Sequence, residues 1–244
     1  MESLTIIGAG EAGTRAALHL RESNWDGEIV LIGQEPHTPY ERPPLSKTLL
    51  AEGIPPPLLS SAEQLQELQI QFLQSSQVAE IDRQSHRLRL QNDEFFPYNK
   101  LLIATGASAR KLTCTGGEHA LVLRNLDEAL ALRSMLALGK HLILIGAGFI
   151  GLELAASAQK VGCQVTVLEM VPRILGRNVP AEVAEVVASE HKQQGVEIRC
   201  DVQLDQIQAL KSGYTVKLKN GESITCLLYT SDAADEGLGV DLGG

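Results

Sequence analysis

Leu4-Thr5-Ile6-Ile7-Gly8-Ala9-Gly10-Glu11-Ala12-Gly13 decides the fold. Four residues of strand type run into a Gly-x-Gly-x-x-Gly turn, and an alanine-rich helical pattern follows to about Arg21. Each glycine answers a separate need: Gly8 the tight turn, Gly10 the close approach of backbone to a pyrophosphate, Gly13 the packing of helix on strand. The helix start offers free N–H groups and a partial positive charge to that anion. Trp25-Asp26-Gly27 then makes a turn, and Glu28 to Ile32 reads as the second strand of a βαβ unit.

The same design returns 138 residues later, where Leu142 to Gly151 shares six of its ten residues with Leu4 to Gly13. A helix runs on to Val161 and stops at Gly162, and Gln164 to Leu168 is the next strand. That spacing is far longer than a solenoid period, so the chain holds two domains of similar topology. One glycine motif is weak evidence, but two copies, each between strand and helix, are strong. Gly146, Gly148 and Gly151 take the parts of Gly8, Gly10 and Gly13. An acid is expected about 20 residues after the motif. In the second copy it is Glu169, placed to accept hydrogen bonds from both ribose hydroxyls and to repel a 2′-phosphate, which favours NADH over NADPH. In the first copy the matching position is Gln34, with Glu35 next to it, and either is a candidate for the ribose.

Between the copies the pattern changes. Ser61-Ala62-Glu63-Gln64 resembles a capping box, and Ile70 to Phe96 breaks into short alternating segments that suggest a small antiparallel insertion. Lys100 to Ala104 is a buried-type strand ending at Thr105-Gly106. Leu126 to Leu138 and Pro180 to Gln194 are helical by period, each followed by a glycine stop, Gly139 and Gly195. Tyr214 to Leu218 with Asn220-Gly221 signals a hairpin whose returning strand begins at Ser223. The expected fold class is α/β, two Rossmann-like dinucleotide-binding domains of three-layer β/β/α character, residues 1–108 and 109–225, both incomplete and the second truncated.

Composition narrows the function. Thirty acidic residues against 21 basic ones give a net charge of −9, which argues against nucleic acid as the main partner. No uncharged apolar run approaches the ~20 residues of a membrane span, and no basic segment precedes Leu4 to suggest a secretory signal. Cys114, Cys163, Cys200 and Cys226 lie far apart, a usage that fits a reducing cytosol and no zinc ribbon. The six histidines are scattered and read as structural or surface residues; no metal site is expected.

The stretch Cys226 to Gly244 resembles the conceptual translation of a transposase-end sequencing adapter, with Cys226 to Asp235 and Val240 to Gly244 as its two matching parts. It holds four acids and no base. The expectation is that it is non-native, packs against nothing consistently, and stands where a longer gene continued.

Pro39-Tyr40-Glu41-Arg42-Pro43-Pro44-Leu45-Ser46-Lys47 presents two cations after a rigid Pro-Pro step that starts a helix at low cost. With this segment the chain resembles the ferredoxin–NAD reductase components of bacterial aromatic-ring dioxygenases, a group of FAD-dependent pyridine nucleotide oxidoreductases. The matching motifs are Gly8 to Gly13, Pro39 to Lys47, Leu101 to Gly106, Leu123-Arg124-Asn125-Leu126-Asp127-Glu128-Ala129 and Ile145 to Ala156. Gly176-Arg177-Asn178 is similar to the phenylpropionate (cinnamate) dioxygenase reductases in particular. The likeness covers residues 4 to 225.

The resemblance implies FAD on the first domain and NAD on the second, and a 2Fe–2S ferredoxin as electron acceptor. It puts Gly8, Gly10, Gly13 and Arg42 at the FAD pyrophosphate, the backbone of Val78 near the adenine, and Arg124 on the FAD. Lys47 would sit near the flavin ring, Glu153 near the nicotinamide and Glu169 on the NAD ribose; Lys47 and Glu153 are the catalytic candidates. They are expected to meet as a buried ion pair across the two domains, since each follows closely on a helix start that opens towards a dinucleotide. Disulfide reductases of this superfamily carry a redox cysteine pair beside the flavin, and Pro43 to Lys47 has none. A cytoplasmic oxidoreductase follows, with residues 1–244 alone holding FAD poorly and inactive. An NADH oxidase, another NADH-dependent flavin reductase, or a non-catalytic nucleotide-binding redox sensor stay open as alternatives.

Overall fold

The computed structural model describes residues 2–176, 179–226 and the backbone of 228–231. Arg177, Asn178 and the stretch from Asp232 to Gly244 lie outside the described residues. The chain divides into two units, Met1–Glu41 with Pro56–Ala107, and Arg42–Pro55 with the chain from Ser108 onward. Residues 42–55 thus cluster with the second unit although they fall between the first unit's two segments.

Along the chain, β1 (Ser3–Ile7), α1 (Glu11–Glu22) and β2 (Glu28–Ile32) come first. A 3-10 turn at Pro43–Ser46 leads into α2 (Thr48–Glu52), which belongs to the second unit. The first unit continues with α3 (Ala62–Glu67), β3 (Ile70–Leu73), β4 (Val78–Asp82), β5 (Arg87–Leu90), β6 (Phe95–Pro97) and β7 (Lys100–Ile103). Its parallel sheet has the order β3-β2-β1-β7, and β4-β5-β6 form an antiparallel meander.

Alternation along the central strands builds three layers, because successive side chains of a strand point to opposite faces. Ile6, Ile29 and Leu31 pack with Ala17 and Leu18 of α1 and Leu65 of α3 on one face. Ile7, Val30 and Ile32 pack with Leu88, Tyr98 and the meander on the other. A sheet covered on both faces reads as a continuous apolar run, which is why Leu4 to Ile7 shows no polar alternation beyond the buried Thr5.

Two first-unit expectations change. The antiparallel insertion begins at Val78 rather than Ile70, since Ile70–Leu73 pairs in parallel with β2 from Ile29↔Ile70 to Ile32↔Leu73. A four-residue apolar run carries no sign of strand direction; the helix α3 before it supplies the crossover that a parallel partner needs. Ser61 does cap α3, accepting from Gln64 N–H at 3.1 Å, but the Gln64 side chain takes the Ser60 hydroxyl at 2.9 Å. Arg21, unremarked in the sequence, donates to four carbonyls, those of Leu68, Trp25, Gly27 and Gln69, at 2.7–2.9 Å. It ties the end of α1 to the loops that lead into β2 and β3.

The second unit repeats the plan with α4 (Leu126–Met135), β8 (His141–Ile145), α5 (Phe149–Lys160), β9 (Gln164–Leu168), α6 (Ala181–Gln193) and β10 (Glu197–Arg199). The meander β11 (Leu204–Ala209), β12 (Tyr214–Leu218), β13 (Ser223–Cys226) and a last strand β14 (Leu228–Ser231) follow. The parallel order is β10-β9-β8-β14, so β14 stands beside β8 as β7 stands beside β1. Ile143 and Leu168 pack with Ile207, Val216, Leu218, Ile224 and Cys226 of the meander. The predicted stops recur as left-handed glycines at Gly139, Gly162, Gly195 and Gly221, each the conformation that lacks a Cβ penalty only in glycine.

The expectation that Cys226 onward packs against nothing is corrected at its start. Cys226 is 2% exposed in the second core, and Leu228–Ser231 pairs with β8 from Leu228↔Leu142 to Ser231↔Ile145. The side of β8 away from β9 is a row of backbone donors and acceptors that templates a further strand, and Leu-Tyr-Thr favours the extended chain. The calls on Asp232 to Gly244 lie outside the described residues. Among the described residues, no helix is long and apolar enough to cross a membrane.

Candidate functional site

Each parallel sheet has its topological switch at the central strand, β1 or β8, where neighbours are added on both sides. Open α/β sheets bind ligands outside the carboxyl ends of the strands at that point. The glycine motif of each unit sits there.

In the first unit Gly8 has φ +111° and donates to Ile32 O at 2.8 Å. A Cβ at Gly8 would lie 2.1 Å from Ala104 O, because β7 brings Ala104-Thr105-Gly106 against the turn. A Cβ at Gly13 would lie 1.9 Å from Gly8 O. At Gly10, the N-cap of α1, a Cβ would meet nothing within 4 Å, and no side chain caps the helix there. The first amides of a helix have no partner inside it. An open glycine before uncapped amides is therefore a cradle that fits a pyrophosphate.

The first ribose position is resolved differently from its expected register. Gly33 N–H donates to Leu73 O and Glu169 N–H to Arg199 O, each one residue past the second parallel strand. Gly33, not Gln34, therefore occupies the place of Glu169, and a Cβ on it would come within 2.9 Å of Ala9 Cβ and Phe72 Cε2. No side chain fits, so an acid must come from further along. Gln34 is exposed, whereas Glu35 is partly buried and accepts from the Tyr40 hydroxyl. Val78 begins β4 opposite Leu90, its side chain packed against the core of Ile7, Val30, Ile32, Leu88 and Tyr98.

In the second unit Gly146 has φ +106° and donates to Leu168 O at 2.8 Å, and Gly148 is the uncapped N-cap of α5. Gly151 is buried one turn on. The Glu169 carboxylate accepts from Ala147 N–H at 2.7 Å and Val171 N–H at 3.1 Å, which pins it beside the glycine turn. Each of its oxygens keeps a second lone pair for a ligand hydroxyl. The partly buried Cys200 thiol is pushed above its ordinary range by desolvation first and by the Glu169 charge second. It stays protonated at neutral pH and is a poor nucleophile.

The segment 42–55 brings the remaining candidates together inside this unit. Lys47 Nζ lies 2.8 Å from Glu153 Oε1, so the expected pair forms, but within one unit rather than across the two, and with Lys47 as the N-cap of α2 rather than inside a helix. The side chains are 49% and 32% exposed, so the pair is not deeply buried as expected. α5 presents Glu153, Ser157 and Lys160 on one face at i, i+4 and i+7. Ser157 Oγ donates to Ser46 O at 2.6 Å, and Lys160 pairs with Glu52 at 3.2 Å. Arg42 donates to the carbonyl of Arg124. Arg124 and Asn125 N–H donate to Glu128, whose own N–H is capped by Asn125, a capping box that opens α4. Sequence reasoning missed Ser46 and Ser157. The only signals were adjacency to Lys47 and an i+4 spacing from Glu153.

The family model described as pyridine nucleotide-disulphide oxidoreductase matches residues 2–230. The chain is 37% identical over 226 residues, 91% of its length, to the ferredoxin–NAD(+) reductase component of 3-phenylpropionate/cinnamic acid dioxygenase from Photorhabdus laumondii. It is 37% identical over 205 residues, 83% of its length, to the ferredoxin–NAD(+) reductase component of the p-cumate 2,3-dioxygenase system from Pseudomonas putida. The chain spans 57% and 51% of those two proteins. Among solved structures, a ferredoxin reductase from Rhodopseudomonas palustris superposes with a TM-score of 0.90 at 34% identity, over 95% of this chain and 58% of that one.

Proposed function

Since the chain belongs to the pyridine nucleotide-disulphide oxidoreductase family, we propose that its first glycine turn holds FAD and its second NADH, in an enzyme that reduces a 2Fe–2S ferredoxin serving an aromatic-ring dioxygenase. The observation that carries this reading is the duplicated switch-point site, with Gly10 and Gly148 each an uncapped helix start. Bound FAD supplies the chemistry of taking a hydride and releasing electrons singly. The protein supplies binding, orientation and fixed charge.

The amides after Gly10 and Gly148 neutralise the two pyrophosphates. Arg42 and Arg124, joined through the Arg124 carbonyl, add positive charge for FAD, and Glu35 is the acid available to its ribose. Lys47, held by Glu153, would offer an ammonium to bound FAD and so favour its negatively charged reduced form. The Cys200 and Cys114 thiols, both pushed up by burial first, stay protonated at neutral pH. The wide spacing of the four cysteines along the chain fits a reducing, cytoplasmic location.

The test is reduction of a 2Fe–2S ferredoxin by NADH with the complete gene product. Stoichiometric ferredoxin reduction is expected; NADH consumption that passes only to oxygen, leaving ferredoxin oxidised, would overturn the proposal.

Coenzyme choice is expected to rest on Glu169. Hydrogen bonds to a charged acceptor contribute ~1.5–3 kcal/mol, so kcat/KM should favour NADH, and Glu169→Ala should shrink the NADH/NADPH ratio by about tenfold or more. Glu169 also holds Ala147 N–H, so part of the loss will appear as weaker binding of both coenzymes. A wild-type preference for NADPH would remove Glu169 from this role.

A further inference from the structure

The Lys47–Glu153 pair poses a problem of order. With side chains 49% and 32% exposed, an isolated ion pair of this kind is worth ~0–1 kcal/mol and pays side-chain entropy to form. Lysine is a flexible point charge with several rotatable bonds. Left to the pair alone, the ammonium would exchange between Glu153 and water.

Two further bonds act on the same junction. The Ser46 hydroxyl donates to Glu153 Oε2 at 2.6 Å, leaving Oε1 for Lys47 at 2.8 Å. The Ser157 hydroxyl donates to the Ser46 carbonyl at 2.6 Å. Ser46 is 5% exposed and Ser157 7% exposed, so the Ser157 bond is buried and the Ser46 bond partly buried, its donor shielded from water as the Lys47 ammonium is not. One helix face, at residues 153 and 157, thus grips residue 46 by its side chain and its main chain together. Lys47 also donates to Pro43 O at 3.4 Å.

We infer that Ser46 is a positioning residue: its hydroxyl fixes the rotamer of Glu153, and the fixed carboxylate, not burial, holds the Lys47 ammonium in place. Ser157 assists by locking the backbone from which both Ser46 and Lys47 project. A carboxylate with one oxygen on a buried hydroxyl has one oxygen and one direction left for the lysine. The redox consequence of this arrangement rests on the function proposed above; the positioning itself does not.

The experiment has two arms, both on the FAD-loaded complete gene product. The first reads hydrogen exchange of the Lys47 ammonium by 15N NMR, with the signal assigned through Lys47→Arg. Ser46→Ala is expected to speed exchange ~10-fold, the loss of a hydrogen bond to a charged acceptor, while Ser46→Thr restores the wild-type rate. In a Glu153→Ala background Ser46→Ala should change nothing further, the non-additivity of residues acting through one contact. If Ser46→Ala fails to fold, Ser157→Ala tests the same clasp and should also speed exchange. Unchanged exchange in the folded variants, or a Ser46 effect that persists without Glu153, overturns the inference. The second arm reads single-turnover flavin reduction by NADH, expected to slow about tenfold in Ser46→Ala. Faster exchange with unaltered flavin reduction overturns the redox consequence and leaves the positioning standing. A wild-type protein whose flavin NADH does not reduce defeats the proposed function instead, and the exchange arm still decides Ser46.

Discussion

In the complete gene product, Gly13→Ala is expected to lower FAD retention about a hundredfold. The added Cβ would lie 1.9 Å from Gly8 O and 3.1 Å from both Gly8 C and Ile6 Cγ2. Two of those three atoms are backbone, in a turn held by Gly8 N–H to Ile32 O and by Ala104 against its other side. No rotamer relieves such a contact. α1 must lift from β1, and Ala17 and Leu18 then separate from Ile6 and Leu31. Overpacking typically costs ~1–3 kcal/mol, with backbone contacts at the upper end, which lowers retention about a hundredfold.

Gly10→Ala separates fold from binding. Its Cβ meets no protein atom within 4 Å, so thermal unfolding of the FAD-free protein should stay within ~2 °C of wild type, on the scale of a surface change. FAD should nonetheless bind more weakly, because the methyl group occupies the face where backbone approaches phosphate. The measurements are the FAD-to-protein ratio after gel filtration and the unfolding midpoint. Stoichiometric FAD in Gly13→Ala would overturn the assignment of this turn.

Lys47→Ala is expected to slow flavin reduction by NADH about a hundredfold, the size of effect seen when one preorganised charge is removed from a developing anion. Stability should barely move, since the half-exposed pair with Glu153 contributes ~0–1 kcal/mol. FAD content should be unchanged as well. Lys47→Arg should recover only part of the rate, because a planar guanidinium does not reproduce a compact ammonium at the same point. Stopped-flow traces of flavin bleaching decide the matter, and a wild-type rate in Lys47→Ala would sink the role.

Short-range signals made much of this protein legible from its sequence. Strands Glu28–Ile32 and Gln164–Leu168 fall at their predicted limits, because an apolar run closed by a turn signal at each end is a local property. α6 at Ala181–Gln193 and the hairpin at Gly221 agree closely with the pattern for the same reason. The duplication was visible because a strand, a glycine turn and a helix start occupy ten consecutive residues in each copy. The Lys47–Glu153 pair was reachable too, although only Glu153 lies inside the helix whose start points to it, while Lys47 precedes α2 as its N-cap after a 3-10 turn.

Other features depended on which distant segments meet. Ile70–Leu73 carries no mark of direction, and only its place beside β2 makes it parallel. Gly33 could not be recognised as the counterpart of Glu169 until the hydrogen bonds to Leu73 and Arg199 set the register. Leu228–Ser231 carries no local sign that it pairs, because nothing near it in sequence shows that β8 has an edge to fill. Ser46 and Ser157 lie 111 residues apart and look like ordinary polar positions until α5 lays one on the carbonyl of the other. Periodicity and glycine conformation are written into neighbouring residues, whereas edge pairing, register and side-chain clasps arise from contacts whose partners the chain brings together only when it folds.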